Sequence, residues 1–285
     1  HQAEVDVGHL SDAEPVGTAT LFVDSTATIW LDVGEGEEEL LQVEVYDETA
    51  TVYVRHDTGL PEAVEAYTAL TGRTPLPPEW ALGFQQCRYS YFPESRVLEL
   101  AERMRSERIP CDVVYFDIHH MDGYRVFTWD TARFPDPKRM IETLHERGFR
   151  VVTIVDPGVK YDPDYALFRS GLDADVYLKD PGRGVYVGKV WPGDAVFPDF
   201  TTRRAREWWA EQHEALFGCG VDGVWNDMNE PADFTGTERY RPDYTVPGRL
   251  IAENDGYPSS IERVHNSYGS GMNRATRAAF DRFRP

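Results

Sequence analysis

The first part of the chain alternates apolar and polar positions, which is the pattern of half-buried β-strands. Two such runs, residues 18–31 and 40–55, are rich in Thr, Val and Tyr. The apolar residues of 61–70 recur at helical spacing, with a proline in the first turn. Residues 74–78 (TPLPP) are typical of a stiff linker. We therefore predict a β-rich region at residues 1–57, a helix with a proline-rich linker at 58–78, and a separate domain at 79–285.

Beyond residue 78, short apolar runs alternate with longer segments of helical periodicity. In chain order the pattern predicts strand 80–85, helix 94–108, strand 112–118, helix 136–147, strand 150–155, helix 201–217, strand 221–226 and helix 259–283. Strands that alternate with helices favour a parallel sheet with helices outside it, so the predicted fold class is α/β. Two long inserts, residues 157–200 and 231–258, each follow a strand. In a barrel of this pattern, that is the face on which active sites are built.

Acidic residues follow three of these strands. Asp117 ends one apolar run, Asp156 ends the next, and Asp227 with Glu230 follows the last. A single such acid could simply cap a helix. Because the carboxyl ends of parallel strands meet at one edge of a sheet, three acids in register predict a concave site where like charges shift one another's pKa values. Acid, base and nucleophilic chemistry need such shifts.

Aromatic side chains accompany the acids. Tyr89, Trp191, Trp225 and Phe234 lie near predicted strand ends or in the inserts. A sugar has C–H faces that pack on aromatic rings and hydroxyl groups that hydrogen-bond to carboxylates, so the combination favours a carbohydrate site. The alternative is that the rings belong to the core, and the loop position of Trp191 argues against it.

Asp117, His119 and His120 resemble a group of metal ligands. Neighbouring side chains of a strand point to opposite faces, so the two histidines would not share one metal ion. No third candidate ligand lies at a spacing that is typical of metal sites. Gly-x-Gly pairs occur in the first insert, but none lies between a strand and a helix as a phosphate cradle requires. We therefore predict no metal and no cofactor.

The composition narrows the class of partner. Asp and Glu number 49 against 29 Lys and Arg, and a net charge of −20 disfavours nucleic acid and anionic membranes. Only four of the basic residues are lysines, which predicts adaptation to high salt, with an ordinary acidic enzyme as the alternative. No apolar stretch approaches the ~18–20 residues of a membrane span. The cysteines Cys87, Cys111 and Cys219 predict buried thiols, which favour a cytoplasmic location.

Residues 224–231 (VWNDMNEP) resemble the nucleophile signature of glycoside hydrolase family 31, the retaining α-glucosidases and their relatives. Further segments follow the order of that family: 77–84 (PPEWALGF), 87–91 (CRYSY), 109–112 (IPCD), 117–129 (DIHHMDGYRVFTW), 156–158 (DPG), 191–193 (WPG), 197–201 (FPDFT) and 265–269 (HNSYG). The resemblance covers about residues 60–285.

Position by position, the resemblance implies a partial (β/α)8 TIM barrel of about four βα units, preceded by the end of an N-terminal β-sandwich. Asp227 would be the catalytic nucleophile and Glu230 would support its loop. The implied sugar pocket is lined by Tyr89, Asp117, Asp156, Trp191, Trp225, Met228 and Phe234. Tyr89 stands where many members have Trp, and His119 with His120 replaces a common Asp–Tyr pair, which leaves substrate preference open.

The implied activity is hydrolysis of terminal non-reducing α-linked glucose through a glycosyl-enzyme on Asp227, with a carbohydrate as partner. A retaining enzyme needs a second carboxyl group about 5–5.5 Å from the nucleophile. In the family this is an Asp in a Thr-Gly-Asp-type motif, which does not occur in these 285 residues, so the chain is expected to be a fragment that is inactive alone. An α-transglucosidase, an α-glucan lyase and a non-catalytic sugar-binding homologue remain alternatives, as does Asp227 as a helix cap.

Overall fold

The computed structural model describes residues 18–27, 29–36, 41–47, 49–57, 59–235 and 245–284. Residues 1–17 of the predicted β-rich region and residues 236–244 of the predicted second insert lie outside the described residues. The chain divides into two compact units. The first unit ends at Leu76 and also includes Glu262–Asn266, and the second comprises Pro77–Ile261 and the residues from Ser267 onward.

Two antiparallel strand pairs and one helix form the described part of the first unit before Leu76. Its elements are β1 (Thr18–Asp24), β2 (Ile29–Val33), β3 (Leu41–Val45), β4 (Thr51–Asp57) and α1 (Leu60–Thr71). β1 pairs with β4, and β2 pairs with β3. Each predicted β run therefore contains two strands. The first run is divided where the Ser25 hydroxyl accepts a hydrogen bond from the N–H of Ala27, which is buried against Val43 and Val45.

The second unit contains most of the secondary structure. In chain order it begins with β5 (Gln85–Gln86), α2 (Glu94–Ser106), β6 (Val113–Phe116), α3 (Pro137–Glu146), β7 (Arg150–Val155), β8 (Val159–Lys160), α4 (Ala166–Asp173), β9 (Lys179–Asp180), β10 (Gly184–Val185), β11 (Gly188–Val190) and β12 (Gly193–Val196). It continues with α5 (Arg203–Gln212), α6 (Glu214–Phe217), β13 (Gly223–Asn226), β14 (Ile251–Ala252), β15 (Ser259–Ser260) and α8 (Tyr268–Phe283). The short helix α7 (Ile261–Val264) lies between β15 and α8 in the chain, and all of it except Ile261 belongs to the first unit.

A parallel four-stranded sheet forms the centre of the second unit. Its strand order is β13–β7–β6–β5, and every neighbouring pair is parallel. Helices separate the strands along the chain, because parallel neighbours need a crossover connection. Val151–Val155 of the central strand β7 are all buried, as expected for a strand covered on both faces. The second unit therefore has the predicted α/β fold class.

The predicted strand at residues 80–85 was wrong. Glu79–Leu82 form a short 3-10 turn, in which the N–H of Ala81 donates to the carbonyl of Pro78. The prolines before it favour a turn over an extended run, so only Gln85 and Gln86 pair with β6.

The helices of the second unit begin at capping side chains in two cases. Asp136 accepts a hydrogen bond from the N–H of Arg139 at the start of α3, and Thr202 accepts one from the N–H of Ala205 at the start of α5. The predicted helix at residues 201–217 is divided at His213 into α5 and α6. The predicted helix at 259–283 begins instead with β15 and α7, and its long part is α8.

The two inserts after β7 and β13 carry small sheets of their own. β8, β11 and β12 form one antiparallel sheet, and β9, β10, β14 and β15 form another. β9 of the first insert pairs with β14 of the second, so the inserts are hydrogen-bonded to each other. Within the described ranges, no helix combines the length and apolar character that crossing a lipid bilayer requires.

Candidate active site

Three aspartates follow three adjacent strands of the parallel sheet. Asp117 comes directly after β6, Asp156 after β7 and Asp227 after β13, and β7 lies between the other two strands. The backbone N–H of Asp227 donates to the carbonyl of Val155 at 3.2 Å, so the β13–β7 ladder continues up to the acids. The predicted convergence of the three carboxylates at one sheet edge follows from this order and register.

Asp117 occupies a partly buried position at the start of the 3-10 turn Ile118–His120. One of its carboxylate oxygens accepts a hydrogen bond from the N–H of Ile118 at 2.7 Å. Burial raises the pKa of Asp117, and the negative charge of Asp227 raises it further, while the hydrogen bond from Ile118 and the charge of His119 oppose the rise.

Asp156 is the most buried of the three aspartates, with 5% of its surface exposed. Its Oδ1 atom is buried and has no hydrogen-bond partner among the described residues. Burial, followed by the charges of Asp227, Asp117 and Glu230, raises the pKa of Asp156 to about 7. A carboxyl group of this kind can donate as well as accept a hydrogen bond near neutral pH, which suits it to a hydroxylated ligand.

The loop after Asp227 turns back on its own backbone. Met228 has a φ of 55°, and its carbonyl accepts a hydrogen bond from the N–H of Ala232. Within the described part of the chain, the carboxylate of Asp227 accepts no hydrogen bond from this turn, so a capping role does not account for it. Glu230 is exposed, and its predicted support of the loop stays a prediction.

Trp191 and Phe234 form an aromatic wall beside the acids' loops. Their ring centroids are 5.2 Å apart with an interplanar angle of 76°, an edge-to-face pair, although one ring belongs to the first insert and the other to the loop after β13. The exposed fractions are 42% for Trp191 and 38% for Phe234, so these rings are not core residues.

Tyr89 and Trp225, the other predicted aromatic residues, lie at different places along the sheet edge. Tyr89 is 64% exposed and contacts the ring of His119 edge-on at 4.7 Å. Trp225 packs edge-on against Tyr115 at 6.1 Å. It lines a cavity of about 460 Å³ together with Cys87, Tyr115, Val224, Asn226 and Asn273.

His119 and His120 lie in a 3-10 turn, so the side-chain alternation of a strand, on which their predicted separation rested, does not apply to them. His119 hydrogen-bonds through Nδ1 to the Ser90 hydroxyl at 2.5 Å and stacks on Phe92. His120 is buried next to Trp129, and burial lowers its pKa to about 4. The two imidazoles thus have separate surroundings. Among the described residues, no group of three or more His, Cys, Asp or Glu side chains could hold a metal ion.

Sequence reasoning missed Asp233 and misjudged Cys87. The Asp233 carboxylate is fully buried and accepts hydrogen bonds from Tyr186, Lys189 and Thr235. Two of these partners lie more than 40 residues away along the chain, and no local pattern reveals them. Cys87 is exposed rather than buried, because it follows the short edge strand β5.

Known proteins resemble this chain over most of its length. Residues 74–285 match the family model described as Glycosyl hydrolases family 31 TIM-barrel domain. Alpha-glucosidase 2 of Bacillus thermoamyloliquefaciens is 48% identical over 215 residues, which cover 75% of this chain and 27% of that protein. The Alpha-glucosidase of Saccharolobus solfataricus is 41% identical over 267 residues, which cover 88% of this chain and 38% of that protein.

A solved structure of the same family also resembles this chain. The family 31 alpha-glucosidase from Bacteroides thetaiotaomicron superposes with a TM-score of 0.75 at 37% identity, and the match covers 94% of this chain and 42% of that chain. The chain therefore spans 27% to 42% of the length of these three proteins.

Proposed function

The chain belongs to glycosyl hydrolase family 31, and from this premise we propose that its protein hydrolyses terminal non-reducing α-linked glucose residues with retention of configuration. The observation that carries the proposal is the group Asp117, Asp156 and Asp227 at the ends of three adjacent parallel strands. Within the described residues, none of these carboxylates forms an ion pair. The two relatives compared by sequence are both named α-glucosidases.

Asp227 is the proposed nucleophile. Its carboxylate attacks the anomeric carbon as the bond to the leaving oxygen breaks, and the leaving oxygen takes a proton from a general acid. Water then attacks the glycosyl-enzyme and gives its proton to the same acid group, which releases glucose in its original configuration. The family places that acid in a Thr-Gly-Asp-type motif, which does not occur in residues 1–285, so the assays use the natural full-length protein.

Asp117 and Asp156 are proposed to bind the sugar hydroxyls. The neutral form of Asp156, populated near pH 7, donates one hydrogen bond to a hydroxyl oxygen and accepts another. The partly buried Asp117 accepts a hydrogen bond from a sugar hydroxyl. A second hydrogen bond, from the N–H of Ile118, fixes the orientation of the Asp117 carboxylate. Negative charge around the ring favours the positive charge that develops on the sugar in the transition state.

Aromatic residues complete the proposed sugar pocket. Trp191 and Phe234 pack against the C–H face of the sugar, while Tyr89, Trp225 and Met228 line its other sides. The exposure of Trp191 and Phe234 supports this assignment, because packing with the core does not explain rings that solvent reaches.

The same resemblance carries the proposed domain organisation. The first unit is the end of a β-sandwich, and the sheet β5–β6–β7–β13 with its helices is the first half of a (β/α)8 barrel. The parallel order and the long inserts at the carboxyl ends of β7 and β13 support the second part of this proposal.

The test follows maltose hydrolysis by nuclear magnetic resonance, which distinguishes the two anomers of the released glucose. The glucose from the reducing end carries the anomeric mixture of maltose itself, so the proposal predicts an initial excess of α-glucose above that contribution, which converts slowly to the equilibrium mixture. An initial excess of β-glucose above that contribution would contradict retention. Longer glucosides in place of glucose would favour a transglucosidase, and an unsaturated sugar would favour a lyase. The Asp227→Asn variant gives the background rate.

A further inference from the structure

We propose that Asp233 is a positioning residue, which holds the first insert to the loop after β13 so that Trp191 and Phe234 form one side of the sugar pocket. The proposal deepens the function proposed above and rests on it for its kinetic part. Its structural part stands on contacts among described residues alone.

The Asp233 side chain joins two segments that are far apart along the chain. It is fully buried, and its carboxylate accepts hydrogen bonds from the Tyr186 hydroxyl at 2.5 Å and the backbone N–H of Lys189 at 3.0 Å. It also accepts one from the backbone N–H of Thr235 at 2.9 Å and one from the Thr235 hydroxyl. Tyr186 and Lys189 belong to the first insert, whereas Thr235 belongs to the same loop as Asp233.

A backbone hydrogen bond lies beside this carboxylate. The N–H of Phe234 donates to the carbonyl of Lys189 at 2.7 Å. Lys189 therefore contacts the loop through both its backbone N–H and its backbone carbonyl. These two bonds fix the distance between the strand β11 and the loop.

Gly188 leaves the space that the carboxylate fills. A Cβ atom placed on Gly188 would lie 2.8 to 2.9 Å from three atoms of the Asp233 carboxyl group. The φ of Gly188 lies outside the left-handed region, so the backbone permits alanine at this position. Only the contact with the Asp233 carboxyl group disfavours it. Gly188→Ala thus disturbs the same contact from the opposite side.

The aromatic wall is built from the residues next to these contacts. Trp191 follows Lys189 by two positions, directly after β11, and Phe234 follows Asp233 directly. The ring centroids lie 5.2 Å apart in an edge-to-face pair, yet 42% of Trp191 and 38% of Phe234 remain exposed to solvent. Exposed rings on separate loops need a rigid support to keep one geometry, and the buried carboxylate supplies it.

The ionised form of Asp233 is the form that makes these contacts. Burial alone would raise the pKa of Asp233. Hydrogen bonds from Thr235, Tyr186 and the backbone of Lys189 lower the pKa by more than burial raises it, so it lies below the usual value. All four donors face an acceptor-only group. An amide at position 233 would turn an NH2 group toward some of these donors.

The kinetic test compares Asp233→Ala, Asp233→Asn and Gly188→Ala in the natural full-length protein with maltose as substrate. Each variant is expected to raise KM by roughly tenfold while kcat changes by less than about threefold, since the wall contacts the bound sugar and not the reacting atoms. Asp222→Asn is the matched control: Asp222 is also a carboxylate bonded to a backbone N–H, at the other end of the sheet, and its loss should leave KM unchanged.

The double variant Gly188→Ala with Asp233→Ala separates a specific contact from general damage. In the Asp233→Ala background the methyl group added at position 188 no longer meets a carboxylate, so Gly188→Ala should add no further rise in KM. Additive effects, or an unchanged KM in every variant that folds, would overturn the proposal. A fall in kcat with unchanged KM would also contradict it.

Hydrogen–deuterium exchange tests the structural part without any activity. The amides of Lys189 and Phe234 should exchange faster in Asp233→Ala and Gly188→Ala, while those of β6 and β7 keep their wild-type protection. If the wild-type protein does not cleave maltose but this exchange pattern appears, the proposed function fails and the positioning role of Asp233 holds. Unchanged exchange at both amides would reject the role of Asp233 even in an active α-glucosidase.

Discussion

The strand β13 has an aspartate just before it and another just after it, and their surroundings are opposite. Asp222, before the strand, accepts hydrogen bonds from the backbone N–H of Val151 at 3.0 Å and from His145 Nε2 at 2.6 Å. Arg150 and Arg284 also donate to it, at 3.0 and 3.2 Å. At the amino ends of the strands, the negative charge is therefore fully surrounded by donors and cations.

The acids at the carboxyl ends of the same strands have no cationic partners, and the one hydrogen bond to their carboxylates comes from the N–H of Ile118 to Asp117 among the described residues. Among the described residues, Asp117, Asp156 and Asp227 form no ion pair, and the charges that act on Asp156 are all negative. Burial and this like charge destabilise the ionised forms of Asp117 and Asp156, so the arrangement costs folding free energy. Groups that oppose stability in this way are concentrated at functional sites, which is why this edge and not the other is the candidate active site.

Replacing Asp227 should give the largest functional effect. In Asp227→Asn, we expect maltose hydrolysis to fall by at least about a thousandfold, or about 4 kcal/mol in activation free energy, since an amide does not form the glycosyl-enzyme. The measurement is kcat/KM, with circular dichroism as a check of the fold. The matched change Asp222→Asn should leave kcat/KM within about threefold. Comparable losses of kcat/KM in Asp227→Asn and Asp222→Asn would contradict the functional difference between the two ends of β13.

Replacing Asp156 should change how stability depends on pH. Below its unfolded pKa of about 3.9, this carboxyl group holds a proton in both states. Between about pH 4 and the folded pKa of about 7, the folded protein retains a proton that the unfolded chain has lost, so stability falls as pH rises. The Asp156→Asn variant lacks this dependence.

The expected result is a stability advantage of Asp156→Asn over the wild type that grows with pH from 4 to 7. Its slope is at most about 1.4 kcal/mol per pH unit, and it flattens above pH 7. Urea denaturation at a series of pH values measures it. Two parallel curves would show that Asp156 has an ordinary pKa.

Replacing Asp222 should affect stability and not activity. In Asp222→Ala the N–H of Val151 loses its partner and two arginines lose their counter-charge, which should cost about 1–3 kcal/mol of unfolding free energy. Denaturant titration measures the loss, and kcat and KM should stay at wild-type values. A large loss of kcat with normal stability would place this end of the sheet in the active site as well.

Replacing Trp191 should give the smallest effect of the series. Trp191→Leu keeps an apolar side chain but removes the edge-to-face pair with Phe234, which is worth about 0.5–1.5 kcal/mol. We expect KM to rise by at most about tenfold and the free energy of unfolding to fall by at most about 1.5 kcal/mol. Trp30→Leu, at an exposed tryptophan of the first unit, is the control and should change neither quantity.

The acids were predictable from the sequence because each follows an apolar strand directly. The runs before Asp117, Asp156 and Asp227 are local patterns, and the alternation of strands and helices predicts that their ends share one edge. The aromatic character of Trp191 and Phe234 was also visible, but their pairing was not. That pairing depends on Asp233, whose partners Tyr186 and Lys189 are 47 and 44 residues away.

Other features depended on contacts that periodicity does not encode. The prolines before residue 79 favour a turn where the sequence predicts a strand. His119 and His120 have separate surroundings because of the 3-10 turn Ile118–His120, and not because of the side-chain alternation of a strand. The donors around Asp222 come from α3, β7 and the end of the chain beyond α8. Adaptation to high salt and a cytoplasmic location stay predictions from composition.

Covalent trapping of the nucleophile tests the central claim most directly. An α-glucosyl fluoride with a second fluorine at C5 forms the glycosyl-enzyme without needing an acid, and the electron-withdrawing fluorine slows its hydrolysis. Peptide mass spectrometry of the treated full-length protein should find the fluoroglucosyl group on Asp227, and none on Asp117, Asp156 or Asp222. A label on another carboxylate, or turnover of the fluoride without any label while Asp227→Asn keeps wild-type activity, would contradict the account.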